Sequence, residues 1–170
     1  GTVASTDIAK SKWHEQIRIA TWNVRTLAQS GKVHNAIQEM TKMNIDILGI
    51  SEMRWTDAGQ MTINEHKVIY SGKTDGNHEL GVGFILNKKL SQYVKNFIPI
   101  SPRVILLQLN AKPIDINIIQ VYAPTTDSNE EEVEALYLSI QEIIKRLKKE
   151  EITIIMGYFN AKLGAGRTSK

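Results

Sequence analysis

The sequence predicts an α/β fold on three observations. One is a strand, helix, strand unit across residues 17–51, the second a β-rich stretch that begins at His66, and the third a long amphipathic helix over residues 129–149 leading into an apolar run at 152–156. Helical and extended segments interleaved along one chain favour mixed layers over an all-helical or all-strand domain.

In the first unit, Ile17, Ile19 and Thr21 alternate with Arg18, Ala20 and Trp22 at the two-residue period of a strand, and Asn23 stands at its exit. Between residues 31 and 43, Val33, Ala36, Ile37 and Met40 recur on one helical face. Residues 45–51 are almost continuously apolar, the pattern of a strand covered on both faces, and they deliver Glu52 at the end.

Residues 67–71, 81–87, 104–110 and 114–122 then read as strands, the last two joined into a hairpin by the short turn Ala111, Lys112 and Pro113. Pro99 and Pro102 mark residues 87–102 as connection. Gly81, Val82 and Gly83 lack a following helix, so they read as strand in close backbone contact and not as a phosphate loop.

The long helix carries Val133, Leu136, Ile140, Ile143, Ile144 and Leu147 on one stripe, with Ser128 and Glu131 as a capping box. Acidic residues open it, and Lys145, Arg146, Lys148 and Lys149 close it. That order suits the helix dipole, so the basic group needs no nucleic acid to explain it. The run 152–156 reads as a further buried strand opening into Gly157, Tyr158, Phe159 and Asn160.

With 170 residues, 42% of them hydrophobic and 23% charged, the chain is long enough for one buried core. The expected organisation is a polar tail at 1–16, one domain at 17–164 and a tail at 165–170. No run approaches the roughly 18 apolar residues of a membrane span, and the start has no apolar signal region. An intracellular chain, nuclear or cytoplasmic, with no membrane partner is expected. Cysteine is absent, which removes disulfide partners and thiolate metal sites, and the four histidines are scattered without ligand spacing. A net charge of +3 and a pI near 9.1 tolerate a polyanion without demanding one.

Asn23, Glu52, Tyr122 and Asn160 each stand immediately after a predicted strand. In layered α/β folds such ends converge at one sheet edge, so residues far apart in sequence share a pocket. The set suits phosphate esters. One carboxylate can hold Mg²⁺, which keeps several waters, while amide and phenol donors can position the phosphate and stabilise its charge. Each residue also has a plain structural explanation: an Asn that turns the chain, a solvated Glu, a Tyr with its ring in the core and its hydroxyl wet.

The wording of these segments is more specific. Thr21-Trp22-Asn23-Val24-Arg25, Ile50-Ser51-Glu52, Gln120-Val121-Tyr122-Ala123-Pro124 and Gly157-Tyr158-Phe159-Asn160-Ala161 follow one another with the intervening elements of the endonuclease/exonuclease/phosphatase superfamily. From about residue 17 to 164 the chain resembles that family, and most closely the endonuclease domain of LINE-type retrotransposons and the related craniofacial development protein 2. The resemblance implies a two-layer α/β sandwich. It further implies that Asn23 orients the metal carboxylate, Glu52 binds Mg²⁺ or Mn²⁺, Tyr122 contacts the scissile phosphate, and Asn160 supports the attacking water and phosphate. The implied substrate is DNA, nicked to leave a 3′ hydroxyl.

Two departures bear on activity. The family motif reads Gly-Asp-Phe-Asn, where the Asp aligns the nucleophilic water, but here that position is Tyr158. A phenol keeps its proton at neutral pH and does not accept one as a carboxylate does. The family's domain also continues past this motif to a closing Asp and His, so the 170 residues read as a C-terminally truncated domain. Strands lost with that segment would leave a long apolar edge open to self-association. Arg54 and Trp55, directly after Glu52, are candidates for a DNA groove, although such a Trp also packs against its own loop. Three readings follow: an impaired metal-dependent DNA endonuclease, a catalytically silent retrotransposon-derived remnant that binds nucleic acid or protein, and a phosphatase acting on a small phosphate ester.

Overall fold

A computed structural model of the chain describes residues 2–10, 13–23, 31–125 and 128–159. In order, these form β1 (Thr2–Lys10), β2 (Trp13–Asn23), α1 (Lys32–Met43), β3 (Ile47–Ser51), β4 (Ala58–Ile63), β5 (His66–Ser71), β6 (Val82–Leu86), α2 (Lys88–Ser91), β7 (Val94–Ser101), β8 (Val104–Leu109), β9 (Ile116–Tyr122), α3 (Glu130–Arg146) and β10 (Ile152–Tyr158). One sheet has the order β1-β2-β3-β6-β5-β4, the other β10-β9-β8-β7.

The two sheets pack face to face, with α1 on the outside of the larger and α3 on the outside of the smaller. Alternation along the central strands shows why. In β8, Ile105, Leu107 and Leu109 point between the sheets to meet Ile47, Phe84 and Ile118. Val104 and Leu106 point outward, onto Leu136, Ile140 and Ile143 of α3. On the larger sheet, Leu48, Ile50, Val68 and Ile85 face Val33, Ile37 and Met40 of α1. A strand covered on both faces has no polar side, which is the origin of the continuous apolar runs in β3, β6, β8 and β9.

Helices α1 and α3 serve as crossovers between parallel strands: β2 and β3 run parallel around α1, and β9 and β10 run parallel around α3. Such a connection places the C-terminal ends of its two strands at one edge of the sheet. The site residues are expected at these ends.

Several local expectations are corrected. The start of the chain, read as a polar tail, is paired: β1 runs antiparallel to β2 from Thr2 opposite Thr21 to Lys10 opposite Trp13. Edge pairing uses backbone groups and needs no apolar alternation. Residues 87–102, read as connection, contain α2 and β7; Pro99 is accommodated because β7 is an edge strand with register shifts on either side of it. The cap of α3 is Asn129, whose side chain accepts from the Glu132 N–H at 2.9 Å, one residue beyond the expected Ser128 and Glu131. Finally, β10 is less covered than its composition suggests: Ile152 and Ile155 are exposed, because β10 lies at the edge of its sheet among the described residues.

The expected hairpin of β8 and β9 is present, and Gly83 of β6 is the predicted close approach, since a Cβ there would lie 2.4 Å from the Ile69 carbonyl oxygen. No helix among the described residues is long and apolar enough to cross a membrane.

Candidate active site at the strand ends

Glu52 follows the last residue of β3, and its backbone takes a left-handed conformation, φ 58°. A non-glycine residue adopts this only where the surroundings impose it. Here the next two amides do so: Met53 N–H donates to the Gly81 carbonyl at 2.9 Å and Arg54 N–H to that of Leu80 at 2.7 Å. The turn aims the carboxylate back across the gap between the sheets.

There it meets Tyr122, the last residue of β9. The Tyr122 hydroxyl donates to Oε1 of Glu52, while Oε2 is buried and has no hydrogen-bond partner among the described residues. Burial of the phenol, and then the adjoining carboxylate, push the Tyr122 pKa up to about 12. Tyr122 is therefore a neutral donor throughout the physiological range.

Tyr158 ends β10 directly beside Tyr122 in the parallel register, with ring centroids 6.3 Å apart. Its carbonyl accepts the Ala123 N–H at 2.9 Å, and its side chain is exposed. The residue before it, Gly157, has φ 146°, and a Cβ there would fall 1.9 Å from the Val121 carbonyl oxygen, so β10 reaches this edge only with glycine at that point.

Asn23 ends β2, level with Ser51 of β3, and is exposed. Among the described residues it makes no hydrogen bond to Glu52. Asn160 lies outside the described residues. Arg54 is half-buried, and its carbonyl is 3.2 Å from His78 Nδ1. The Trp55 ring stands edge-on to Tyr70, centroids 5.1 Å apart, and packs with the α1 side of the larger sheet.

Arg103 belongs to this group and was not anticipated from the sequence. It lies in the turn between β7 and β8, its guanidinium 5.4 Å from the centre of the Tyr122 ring and its Nη1 donating to the Tyr122 carbonyl at 3.1 Å. The adjacent Pro102 carbonyl accepts from Gly81 N–H at 3.0 Å, which ties this turn to the loop that shapes Glu52. One carboxylate, two phenols and a guanidinium thus share one end of the sandwich. Among the described residues no group of three or more His, Asp or Glu side chains forms a metal cage. The residues present instead fit a divalent cation held by one carboxylate and water, and the unpartnered Oε2 is the atom it would satisfy.

Comparison with known proteins agrees with this architecture. No protein-family profile matches the chain. It is 36% identical to craniofacial development protein 2 of Tragulus javanicus over 163 residues, 95% of the chain, and 36% identical to that of Bos taurus over 151 residues, 89% of the chain. It spans 28% and 25% of the length of these two relatives. Among solved structures, the endonuclease domain of TRAS1, a telomere-specific non-LTR retrotransposon, matches with a TM-score of 0.61 at 14% identity, over 86% of this chain and 60% of that one. The AP endonuclease of Leishmania major matches with a TM-score of 0.60 at 13% identity, over 81% and 53%. TDP2 of D. rerio, complexed with single-strand DNA product, gives 0.59 at 13% identity, over 86% and 61%. The chain is a relative of craniofacial development protein 2, built on the endonuclease/exonuclease/phosphatase fold.

Proposed function

We propose that this chain is a divalent-metal phosphodiesterase domain of the DNA-nicking kind whose chemistry is weakened by Tyr158. The observation that carries the proposal is Glu52: its Oε1 is engaged by Tyr122, and its Oε2 is buried and unpartnered at the meeting point of the strand ends. An unsatisfied buried carboxylate oxygen is costly and calls for a cation or a proton.

In this reading Glu52 holds Mg²⁺ or Mn²⁺, which when bound supplies charge to polarise a phosphoryl oxygen. Tyr122, kept protonated, donates to the phosphate. Arg103 offers a guanidinium on the same side, suited to a phosphate oxygen. Asn23 supplies an amide donor at the rim, the family resemblance gives Asn160 a like role, and the half-buried Arg54 and Trp55 extend the surface for nucleic acid. Tyr158 occupies the place of a water-aligning carboxylate and cannot take the proton, a loss of roughly 100- to 10,000-fold.

Mn²⁺ titration of the chain and of Glu52→Ala, alongside nicking of supercoiled plasmid DNA, tests the proposal. Weak Mn²⁺ binding that disappears in Glu52→Ala, with slow but detectable Mn²⁺-dependent nicking, is expected. Unchanged Mn²⁺ affinity in Glu52→Ala overturns it. Tyr158 also favours a second reading, a silent domain that binds nucleic acid or protein without cutting; DNA binding with no Mn²⁺-dependent turnover would select it. Turnover of soluble phosphate esters but not of DNA would select a phosphatase instead.

A further inference from the structure

We infer that Gln120 is a positioning residue, whose carboxamide bolts the two sheets together in the one alignment that lets Glu52 and Tyr122 meet. The role rests on reading Glu52 and Tyr122 as the site.

Gln120 is fully buried between the sheets, two residues before Tyr122 on β9. Its Nε2 donates to Thr21 Oγ1 of β2 at 3.0 Å and to Ser51 Oγ of β3 at 3.1 Å. Ser51 in turn donates to the Val121 carbonyl at 3.2 Å, which returns the link to β9. The carboxamide sits over Gly49, the residue paired with Thr21: a Cβ at position 49 would fall 2.1 Å from Gln120 Oε1 and 2.6 Å from the Met156 methyl. The larger sheet therefore carries a slot shaped for this side chain.

Each member is one or two residues from a strand end at the site. Thr21 precedes Asn23 by two, Ser51 directly precedes Glu52, and Gln120 precedes Tyr122 by two. Apolar packing between sheets is non-directional and tolerates small slides. A buried, hydrogen-bonded polar group does not, because a slide strands its donors without water to replace them. The crossed bonds of Gln120 fix the lateral offset of β9 against β2 and β3, and the bond from Tyr122 to Glu52 follows from that offset.

The test compares Gln120→Met, which keeps the length and removes the amide, with Ile118→Val, which trims the same inter-sheet core on the same strand. Thr21→Val removes one hydroxyl without removing volume and decides the question should Gln120→Met not fold. The first readout is the Tyr122 hydroxyl proton in NMR of the metal-free chain, assigned with Tyr122→Phe. It should be visible in the unmodified chain and in Ile118→Val, and shifted or lost in Gln120→Met and Thr21→Val. The second is Mn²⁺ affinity, expected to weaken roughly 10- to 100-fold in Gln120→Met, as when a metal ligand loses its supporting shell. Absence of the resonance from the unmodified chain, or an unmoved resonance in the folded Gln120 and Thr21 variants, overturns the inference. Failure of the unmodified chain to bind Mn²⁺ counts against the metal reading instead, and the hydroxyl resonance then decides the alignment role by itself.

Discussion

The Tyr122 hydroxyl donates a hydrogen bond to Glu52 across the gap between two sheets, joining residues 70 apart in the chain. Removing it should destabilise the fold through what is left behind. Tyr122→Phe leaves both carboxylate oxygens of Glu52 without a protein partner, a cost of about 1 to 3 kcal/mol. Urea unfolding at neutral pH should show the loss, and the double variant with Glu52→Gln should show less than the sum of the two single effects, because both remove one interaction.

Alkaline titration offers a second check. The Tyr122 pKa is raised, first by burial and then by Glu52, to about 12. A phenol whose folded pKa exceeds its unfolded value of about 10 gives stability that is fully present below pH 10 and is lost as pH climbs toward 12. The difference in phenolate absorbance between the chain and Tyr122→Phe should therefore appear late, near pH 12, and unfolding should become easier over the same window. A Tyr122 contribution ionising near pH 10 would contradict the buried bond.

Gly157→Ala is expected to be severe. The new methyl would overlap the Val121 carbonyl oxygen at a backbone angle that alanine avoids, forcing β10 away from β9 at a cost on the order of 3 kcal/mol. Thermal unfolding measures the loss. Hydrogen exchange should also show the Ala123 amide, bonded to the Tyr158 carbonyl, exchanging faster than in the unmodified chain.

Exposed apolar residues on β10 lead to a prediction about association. Ile152 and Ile155 are exposed on a strand that is an edge among the described residues, as are Tyr158 and Phe159 at its end. An apolar strand edge is a template for pairing with another chain. We expect the 170-residue chain to show concentration-dependent sedimentation that Ile155→Lys reduces. A monomer at all concentrations would mean that this edge is protected.

The central strands were legible in the sequence, as was β10, and the other edge strands were not. The runs in β3, β6, β8 and β9 are apolar because both faces are covered, which leaves a signature in the residues themselves. β4 and β7 lie at edges with mostly exposed side chains, and β1 is held by backbone pairing with β2, so no pattern was imposed on them. Asn23, Glu52 and Tyr122 stood out because strand ends are visible in sequence. Arg103 did not: it lies in a turn and reaches the site only through a contact with Tyr122, 19 residues away. Gln120 was hidden for another reason. A polar residue inside an apolar run looks like an interruption, and only the slot at Gly49 shows that it faces inward.

The slot has a consequence for how such a domain can change over generations. The residues that align the sheets belong to β2, β3 and β9, whereas Tyr158 stands at the end of β10, outside that set of bonds. In the proposed reading, reactivity and alignment thus rest on different residues. On that reading, a phenol in place of a carboxylate at position 158 leaves the bonds among β2, β3 and β9 in place, with Glu52 and Tyr122 facing each other. A substitution at Gly49 would disturb this alignment without altering any residue of the proposed site.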